Sequence, residues 1–365
     1  MKAFLASILF ISTSMTVVAQ SNYKESSNSF ARYGKSGEIK ELESAKKFID
    51  AAYKTKRDSV SSKNNLLRAM IYSSLAYADS TRKIKTDKDP IQITEETVKR
   101  IRDRDKQNFS NEINYINQNL IAAYIFKANK EIQKKEFEKA YNSFLEVEKL
   151  GSKSEDVLRN LAYLSAQANK TDEAINYYKK IIATSEVEPI VYIDLAKLYH
   201  QNKDEQAYLN TLQTARNKFQ SDKTILFLLL EAYSNNKSFQ AVTPLIEEAL
   251  KYEPNNIELY YLAGFASENV GNIPEAKTYY TKVLSLDEDN YDANLALGLI
   301  FLNEFLKDKN NLEAQYSAQD YLLKANGIKP YAINTLKGLS MFYEALDDQE
   351  QLDRVNILLN QLSNY

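Results

Sequence analysis

The sequence predicts an all-α protein in which antiparallel helix pairs stack at a fixed interval into an α-solenoid. Small or apolar residues return every 34 positions, at Ala140, Ala174, Tyr208, Val242 and Ala276. Two further apolar columns follow four and seven residues later, which is the i, i+4, i+7 spacing of one helix face. The 365 residues include only 8 Gly and 6 Pro, too few for the turns of hairpin-rich β folds.

The columns indicate where each helix is buried. Four residues after the opening position they read Phe144, Tyr178, Leu212, Ile246 and Tyr280, and at seven residues Val147, Ile181, Ala215, Ala249 and Val283. Twelve residues before the opening position lie Ala128, Ala162, Ala196, Leu230 and Gly264. Small side chains there let the two helices of a pair approach closely. The middle repeats hold larger residues, so we expect a larger distance between their paired helices. Asn and Gly in the segments NKTD, NKDE, NKSF and GNIP tolerate the left-handed conformation that ends a helix.

These residues resemble the tetratricopeptide repeat family, whose 34-residue units are helix–turn–helix pairs. The stretch YYLAGFASENVGNIPEAKTYYTKVLSLDEDN carries the likeness best, through Tyr260, Ala263, Gly264, Ala276, Tyr280 and Val283. Pro254 and Pro330 match the Pro that ends a unit in this family. The resemblance implies a right-handed superhelix. Since one pair cannot bury its apolar stripe alone, we expect about six to eight stacked pairs.

The chain divides into five predicted segments. Residues 1–19 form a signal peptide, with Lys2, a short apolar run and cleavage after Ala19; an uncleaved N-terminal anchor is the alternative. Residues 20–37 form a Ser/Asn-rich flexible lead. Residues 38–120 hold degenerate helical repeats and a charged connector, and residues 121–330 form the repeat array, with eight extra residues near 303–317. Residues 331–365 form a C-terminal capping repeat.

The sequence offers few groups for catalysis or metal binding, so we predict no catalytic residue, no metal site and no cofactor. It has no Cys and a single His, His200, which we expect to be an edge residue near the end of a helix. Residues 287–292, DEDNYD, lack the central Gly and distal Glu of a calcium loop and are expected to cap a helix. The formal charge of −2 favours neither nucleic acid nor an anionic membrane as the main partner.

The family resemblance implies a partner-binding groove lined by the first helices of the pairs. Its candidate residues are Arg159, Tyr163, Ile193, Lys197, Phe227, Glu231, Tyr261, Phe265, Leu295 and Leu299. An exposed stripe of this kind exceeds what a monomer normally leaves open and would suit a helical or extended apolar segment. Alternatively, a neighbouring helix covers it.

The predicted function is therefore that of a non-catalytic protein–protein interaction scaffold in the cell envelope, periplasmic or secreted. The VVAQ ending and the Lys/Asn/Tyr-rich body resemble exported proteins of the Bacteroidota. After signal cleavage no integral membrane segment is expected, and the oligomeric state stays open. One alternative is a structural subunit of an oligomeric envelope complex. A less favoured one is an envelope hydrolase that uses two of the 49 acidic residues.

Overall fold

The computed structural model describes residues 21–183 and 187–363, and in these ranges it contains helices and no strand. The predicted signal peptide lies outside them. The chain forms two compact units, one ending at Val191 and one beginning at Tyr192, inside a helix. The first unit contains α1 (residues 21–36), α2 (Ile39–Ala52), α3 (Lys56–Ser59), α4 (Ser62–Ala78), α5 (Pro90–Val98), α6 (Asp103–Asn108), α7 (Ser110–Gln133), α8 (Phe137–Lys149), α9 (Glu155–Gln167), α10 (Thr171–Ile182) and the start of α11 (Pro189–Gln201). The second contains the rest of α11, α12 (Glu205–Lys218), α13 (Lys223–Asn235), α14 (Phe239–Tyr252), α15 (Ile257–Asn269), α16 (Ile273–Leu286), α17 (Tyr291–Lys307), α18 (Leu312–Ile328), α19 (Ile333–Ala345) and α20 (Gln349–Ser363).

Within each unit the helices form antiparallel pairs, and the second helix of a pair generally packs on the first helix of the next. The pair α4/α5 differs, because its first helix, α4, packs on α7. The predicted class, an all-α helical repeat, is confirmed. Nine pairs occur in the described chain, more than the six to eight expected: α1/α2, α4/α5, then α7/α8 through α19/α20. The short helices α3 and α6 stand outside the pairs. The right-handed superhelix stays a prediction.

The flexible lead expected at residues 20–37 is wrong for the part that the structure describes, because residues 21–36 are helical. Helix α1 packs on α2, and its Ser26 hydroxyl donates to the carbonyl of Ala45 at 2.8 Å. Ser26 is fully buried, so its small polar side chain lets the two helices approach. Tyr23, Phe30 and Tyr33 supply the apolar surface that joins α1 to the core of α2 and α4.

The apolar columns predicted from the sequence lie in the core. The five residues at the seventh position after the opening residue are each 0% exposed: Val147, Ile181, Ala215, Ala249 and Val283. Leu230 is buried on α13, and α13 and α14 approach each other less closely along their length than α15 and α16 do. The wider packing predicted for the middle of the array is therefore present at this pair.

Each pair except α17/α18 turns through one residue in the left-handed region. Five of these residues are 34 positions apart, and the whole set is Gly37, Arg82, Lys135, Asn169, Lys203, Lys237, Gly271 and Asp347. At α13 the N–H of Lys237 donates to the Ser234 carbonyl at 3.0 Å, and the next N–H, of Ser238, donates to Tyr233 at 2.8 Å. This is the Schellman motif that closes a helix. In two of the pairs the left-handed residue is therefore a lysine, Lys203 or Lys237, one position after the Asn that the sequence suggested.

The eight extra residues near 303–317 lengthen two helices. Helices α17 and α18 each have 17 residues, whereas α15 has 13 and α16 has 14. Each gains about one turn, and residues 308–311 still join them closely. The added turn of α17 carries Phe305, which is 2% exposed and whose ring centre lies 6.0 Å from that of Phe342 on α19.

Candidate functional site

The candidate groove residues all lie on first helices, two on each. They follow one another as Arg159 and Tyr163 on α9, Ile193 and Lys197 on α11, Phe227 and Glu231 on α13, Tyr261 and Phe265 on α15, and Leu295 and Leu299 on α17. The structure divides them between the two units, with the α9 pair in the first and the others in the second. Their surroundings differ from helix to helix.

Ile193 does not belong to an accessible surface, because it is only 4% exposed. Helix α11 is apolar on most sides, and its buried residues also include Val191, Tyr192, Leu195, Ala196, Leu198 and Tyr199. Ile193 lies on a first helix, as the family resemblance implied, but it is buried there. Lys197, one turn later, is exposed and makes no ion pair with any residue that the structure describes.

In the first unit, the two candidates on α9 are held by local contacts. The Arg159 guanidinium lies 2.7 Å from Glu155 and 3.7 Å from Glu188, so its charge is already balanced. Tyr163 is 47% exposed, and its ring meets the edge of Phe137 with centres 6.5 Å apart. An exposed tyrosine supported by a second ring can offer a flat contact surface to a partner.

In the second unit, α15 carries a cluster of rings. Phe265 is 40% exposed, and its ring centre lies 5.3 Å from that of Phe239 and 6.5 Å from that of Tyr261. Tyr261 continues inward to Tyr280 at 5.5 Å. Burial, reinforced by the carboxylates of Asp292 and Glu268, raises the pKa of Tyr261. The cluster therefore joins one exposed ring to the core through neutral aromatic contacts.

An open cleft lies beside Phe227, between α13 and α15, with a volume of about 560 Å³. We call it the Phe227 cleft; its lining residues are Lys223, Thr224, Phe227, Leu228, Leu230, Glu231, Glu253, Asn256, Glu258, Leu259 and Leu262. Leu230 and Leu259 form a buried floor, and the Phe227 ring stands half-buried with the Lys223 ammonium 5.4 Å from its centre. The volume falls in the range of about 300–1,000 Å³ that ligand clefts occupy.

The rim of the Phe227 cleft is charged. Lys223 pairs with Glu253 at 2.8 Å, and hydrogen bonds from Lys223 and Asn256 lower the pKa of the Glu253 carboxyl. Glu231 and Glu258 are exposed and have no hydrogen bond or ion pair among the described residues. Both carboxylates are thus available to a ligand.

The last two candidates lie where α17 meets α19. Leu295 is half-buried against the core of the final pairs. Leu299 is 38% exposed, and its Cδ2 would lie 3.1 Å from a Cβ built on Gly338 of α19. The next first helix therefore covers part of this position. The remaining candidates are Phe227 and Glu231 on α13 and Tyr261 and Phe265 on α15.

His200 and the DEDNYD segment occupy the structural positions that the sequence suggested. The His200 Nδ1 atom lies 3.0 Å from Glu205 Oε1 in an exposed pair at the end of α11. Asn290 caps α17 by accepting from the N–H of Ala293 at 3.0 Å. Among the described residues no group of three or more His, Asp or Glu side chains is arranged to hold a metal ion.

The sequence did not predict the clefts of the first unit, of which one is apolar and open. It lies in the first unit between α4 and α7, has a volume of about 580 Å³, and is lined by Tyr77, Ala78, Ser80, Ala122, Ile125, Phe126 and Asn129. Tyr77 is 57% exposed and Phe126 39% exposed. No column of the 34-residue pattern reaches α4, so its packing on α7 could not be predicted.

Of the helices in the described part of the chain, none combines the length and apolarity needed to cross a membrane.

Comparison with known proteins gives matches among solved structures alone, since no protein-family model and no curated protein matches the chain. The chain is 16% identical to a structure described as MamA MSR-1 C2, over 48% of this chain and 97% of that one, with a TM-score of 0.37. It is 18% identical to YrrB, described as a TPR protein with an unusual peptide-binding site, over 53% and 96%, with a TM-score of 0.42. It is 14% identical to the C-terminal part of a TPR repeat-containing protein from Cytophaga hutchinsonii, over 64% and 93%, with a TM-score of 0.48.

Proposed function

We propose that this protein is a non-catalytic interaction scaffold of the cell envelope, and that it binds a segment of a partner protein on the concave face formed by its first helices. The observation that carries the proposal is the Phe227 cleft, which joins half-buried apolar side chains over a buried apolar floor to unpaired carboxylates. Phe265, which is 40% exposed, lies on the neighbouring first helix. Such a combination of an apolar centre and a polar rim is typical of protein interfaces.

In this proposal the protein binds its partner with a rigid, preformed surface. Helices α13 and α15 are held by the buried residues Leu226, Leu230, Ile246, Ala249 and Leu259, so the cleft is preformed and a ligand need not order it. Binding then depends on the fit of a few anchor side chains. The proposal includes export with a signal peptide cleaved after Ala19, which N-terminal sequencing of the exported protein checks directly.

The test compares partner capture by three forms of the full chain. Phe227→Ala/Phe265→Ala removes two rings from the proposed surface. Leu312→Ala/Tyr316→Ala is the matched control, because both residues are exposed apolar side chains on α18, a second helix. Circular dichroism and urea unfolding establish that each variant is folded.

The proposal predicts that an envelope fraction yields a specific protein with the wild type and the control, and much less of it with the Phe227→Ala/Phe265→Ala variant. Equal recovery by all three forms would contradict the assignment of the surface. A protein that is an obligate oligomer through these two rings would instead be a structural subunit, and sedimentation of the wild type separates that case.

A further inference from the structure

The Phe227 cleft has an excess of negative charge that nothing in the described chain neutralises. Its lysine, Lys223, is already engaged by Glu253 at 2.8 Å. Glu231 and Glu258 remain unpaired and exposed on opposite helices. Unpaired carboxylates at the edge of an apolar surface favour cationic ligands and disfavour anionic ones.

The two carboxylates are also offset from each other along the helix axes. Helices α13 and α15 run in the same direction, because each is the first helix of consecutive antiparallel pairs. In the 34-residue register, Glu258 lies level with the first turn of α13, and Glu231 lies seven residues further along. Seven residues of helix rise about 10 Å. The apolar side chains between these two levels are Phe227, Leu228 and Leu262.

We propose that the Phe227 cleft binds an amphipathic segment of a partner protein that carries two cationic side chains offset by about 10 Å along the segment, with apolar side chains between them. In a helical ligand this means Lys or Arg at positions i and i+7 and Leu at i+3 and i+4, all on one face. The inference rests on the proposed function and adds the chemistry of the ligand. The apolar residues fill the cleft, and the two cations fix the register.

The experiment uses fluorescein-labelled helical peptides and the full chain in an anisotropy titration. The first probe has Lys at i and i+7 with Leu at i+3 and i+4. Two probes replace both lysines by Gln or by Glu. A fourth keeps the composition of the first but moves both lysines to the opposite face of the helix.

We expect the first probe to bind about three- to tenfold more tightly than the Gln probe, as two exposed ion pairs would provide, and the Glu probe to bind weakest. The preference should shrink as salt is raised, because exposed charges are screened. Glu231→Gln/Glu258→Gln should remove the preference and leave binding of the Gln probe unchanged. Glu247→Gln/Glu313→Gln changes the net charge by the same amount, but at exposed residues of second helices. This control should preserve the preference for the first probe.

The inference is overturned if the first probe binds no better than the Glu probe or the opposite-face probe, if none of the probes binds, or if the Glu247/Glu313 control alters the preference as strongly. Self-association that Glu231→Gln/Glu258→Gln relieves would assign the cleft to a second copy of this chain and also overturn it. In each of these cases the proposed function stands if partner capture still depends on Phe227 and Phe265. It fails if that dependence is absent as well.

Discussion

Gly264 lies directly against the ring of Tyr280. A Cβ built on Gly264 would be 2.7 Å from Cδ1 and from Cε1 of that ring, closer than real Cβ contacts come. Tyr280 is fully buried, and its hydroxyl donates to Glu268 at 3.0 Å, so the ring has no room to retreat. The small residue that recurs on first helices is therefore required here by the packing of α15 on α16.

Gly264→Ala is expected to destabilise the protein. Alanine gains about 1 kcal/mol over glycine in helix propensity. Overpacking against an immobile ring costs about 1–3 kcal/mol, so the net change should be unfavourable. Urea unfolding measures it. Gly327→Ala on α18 is the control, since a Cβ there meets nothing within 4 Å and should be neutral or stabilising by up to about 1 kcal/mol. A more stable Gly264→Ala variant would show that the α15/α16 contact is loose.

The left-handed turn residues give a second, independent prediction. Lys237 has φ 56° and Gly271 has φ 82° at matched positions of consecutive pairs. A side chain in this region costs about 1–2 kcal/mol, whereas the extra flexibility of glycine in the unfolded chain costs about 0.5–1 kcal/mol. Lys237→Gly should therefore stabilise by roughly 0.5–1 kcal/mol and Gly271→Ala should destabilise by about 1 kcal/mol. Thermal unfolding of both variants tests the pair; the same sign for both would contradict the conformational argument.

Buried tyrosines predict a loss of stability at alkaline pH. Burial, reinforced by a neighbouring carboxylate, raises the pKa of four phenols above the ordinary value of 10.0: Tyr72, Tyr124, Tyr177 and Tyr280. Above pH 10 the unfolded chain releases these protons and the folded chain keeps them. The contribution of these phenols to the free energy of unfolding is therefore complete below their pKa in the unfolded chain. It is lost as the pH rises towards their pKa in the folded chain, by up to about 1.4 kcal/mol per pH unit for each phenol.

Tyr280→Phe isolates one of these phenols. In urea unfolding between pH 9 and 11.5, the free energy of unfolding should fall less steeply with pH for the variant than for the wild type. The difference in slope should correspond to about one proton. Tyr316→Phe is the control for the loss of a phenol hydroxyl, because Tyr316 lies at an exposed position of α18. Equal slopes for the wild type and Tyr280→Phe would mean that this hydroxyl titrates alike in both states.

The repeat itself could be predicted from the sequence because its packing is local and periodic. Ala174 and Ala276 open second helices and are each 0% exposed, as their column required. Phe227 was one of the groove candidates that the family resemblance implied, and an open cleft lies beside it. The columns predict which face of a helix turns inward, but they carry no information on how a neighbouring helix covers the other faces. Ile193, which the family resemblance placed on a first helix, is buried for that reason.

The N-terminal part could not be predicted in the same way. Residues 21–36 contain many serines, yet Ser26 and Ser29 are each 0% exposed in a helix contact. Small polar residues can be buried where a hydrogen bond is available, and the composition of a segment does not reveal this. The left-handed residues at Lys203 and Lys237 were missed by one position because the sequence points to the preceding Asn.

Site-specific photocrosslinking tests the central claim most directly. A benzophenone amino acid is placed at Leu228, which lines the Phe227 cleft, or at Glu247, an exposed position on the second helix of the same pair. Irradiation in the native cell envelope should give a discrete adduct with a second protein from position 228 and none from position 247. An adduct from 247 alone, or none from 228 in a folded variant, would contradict the assignment of the Phe227 cleft as the partner-binding surface.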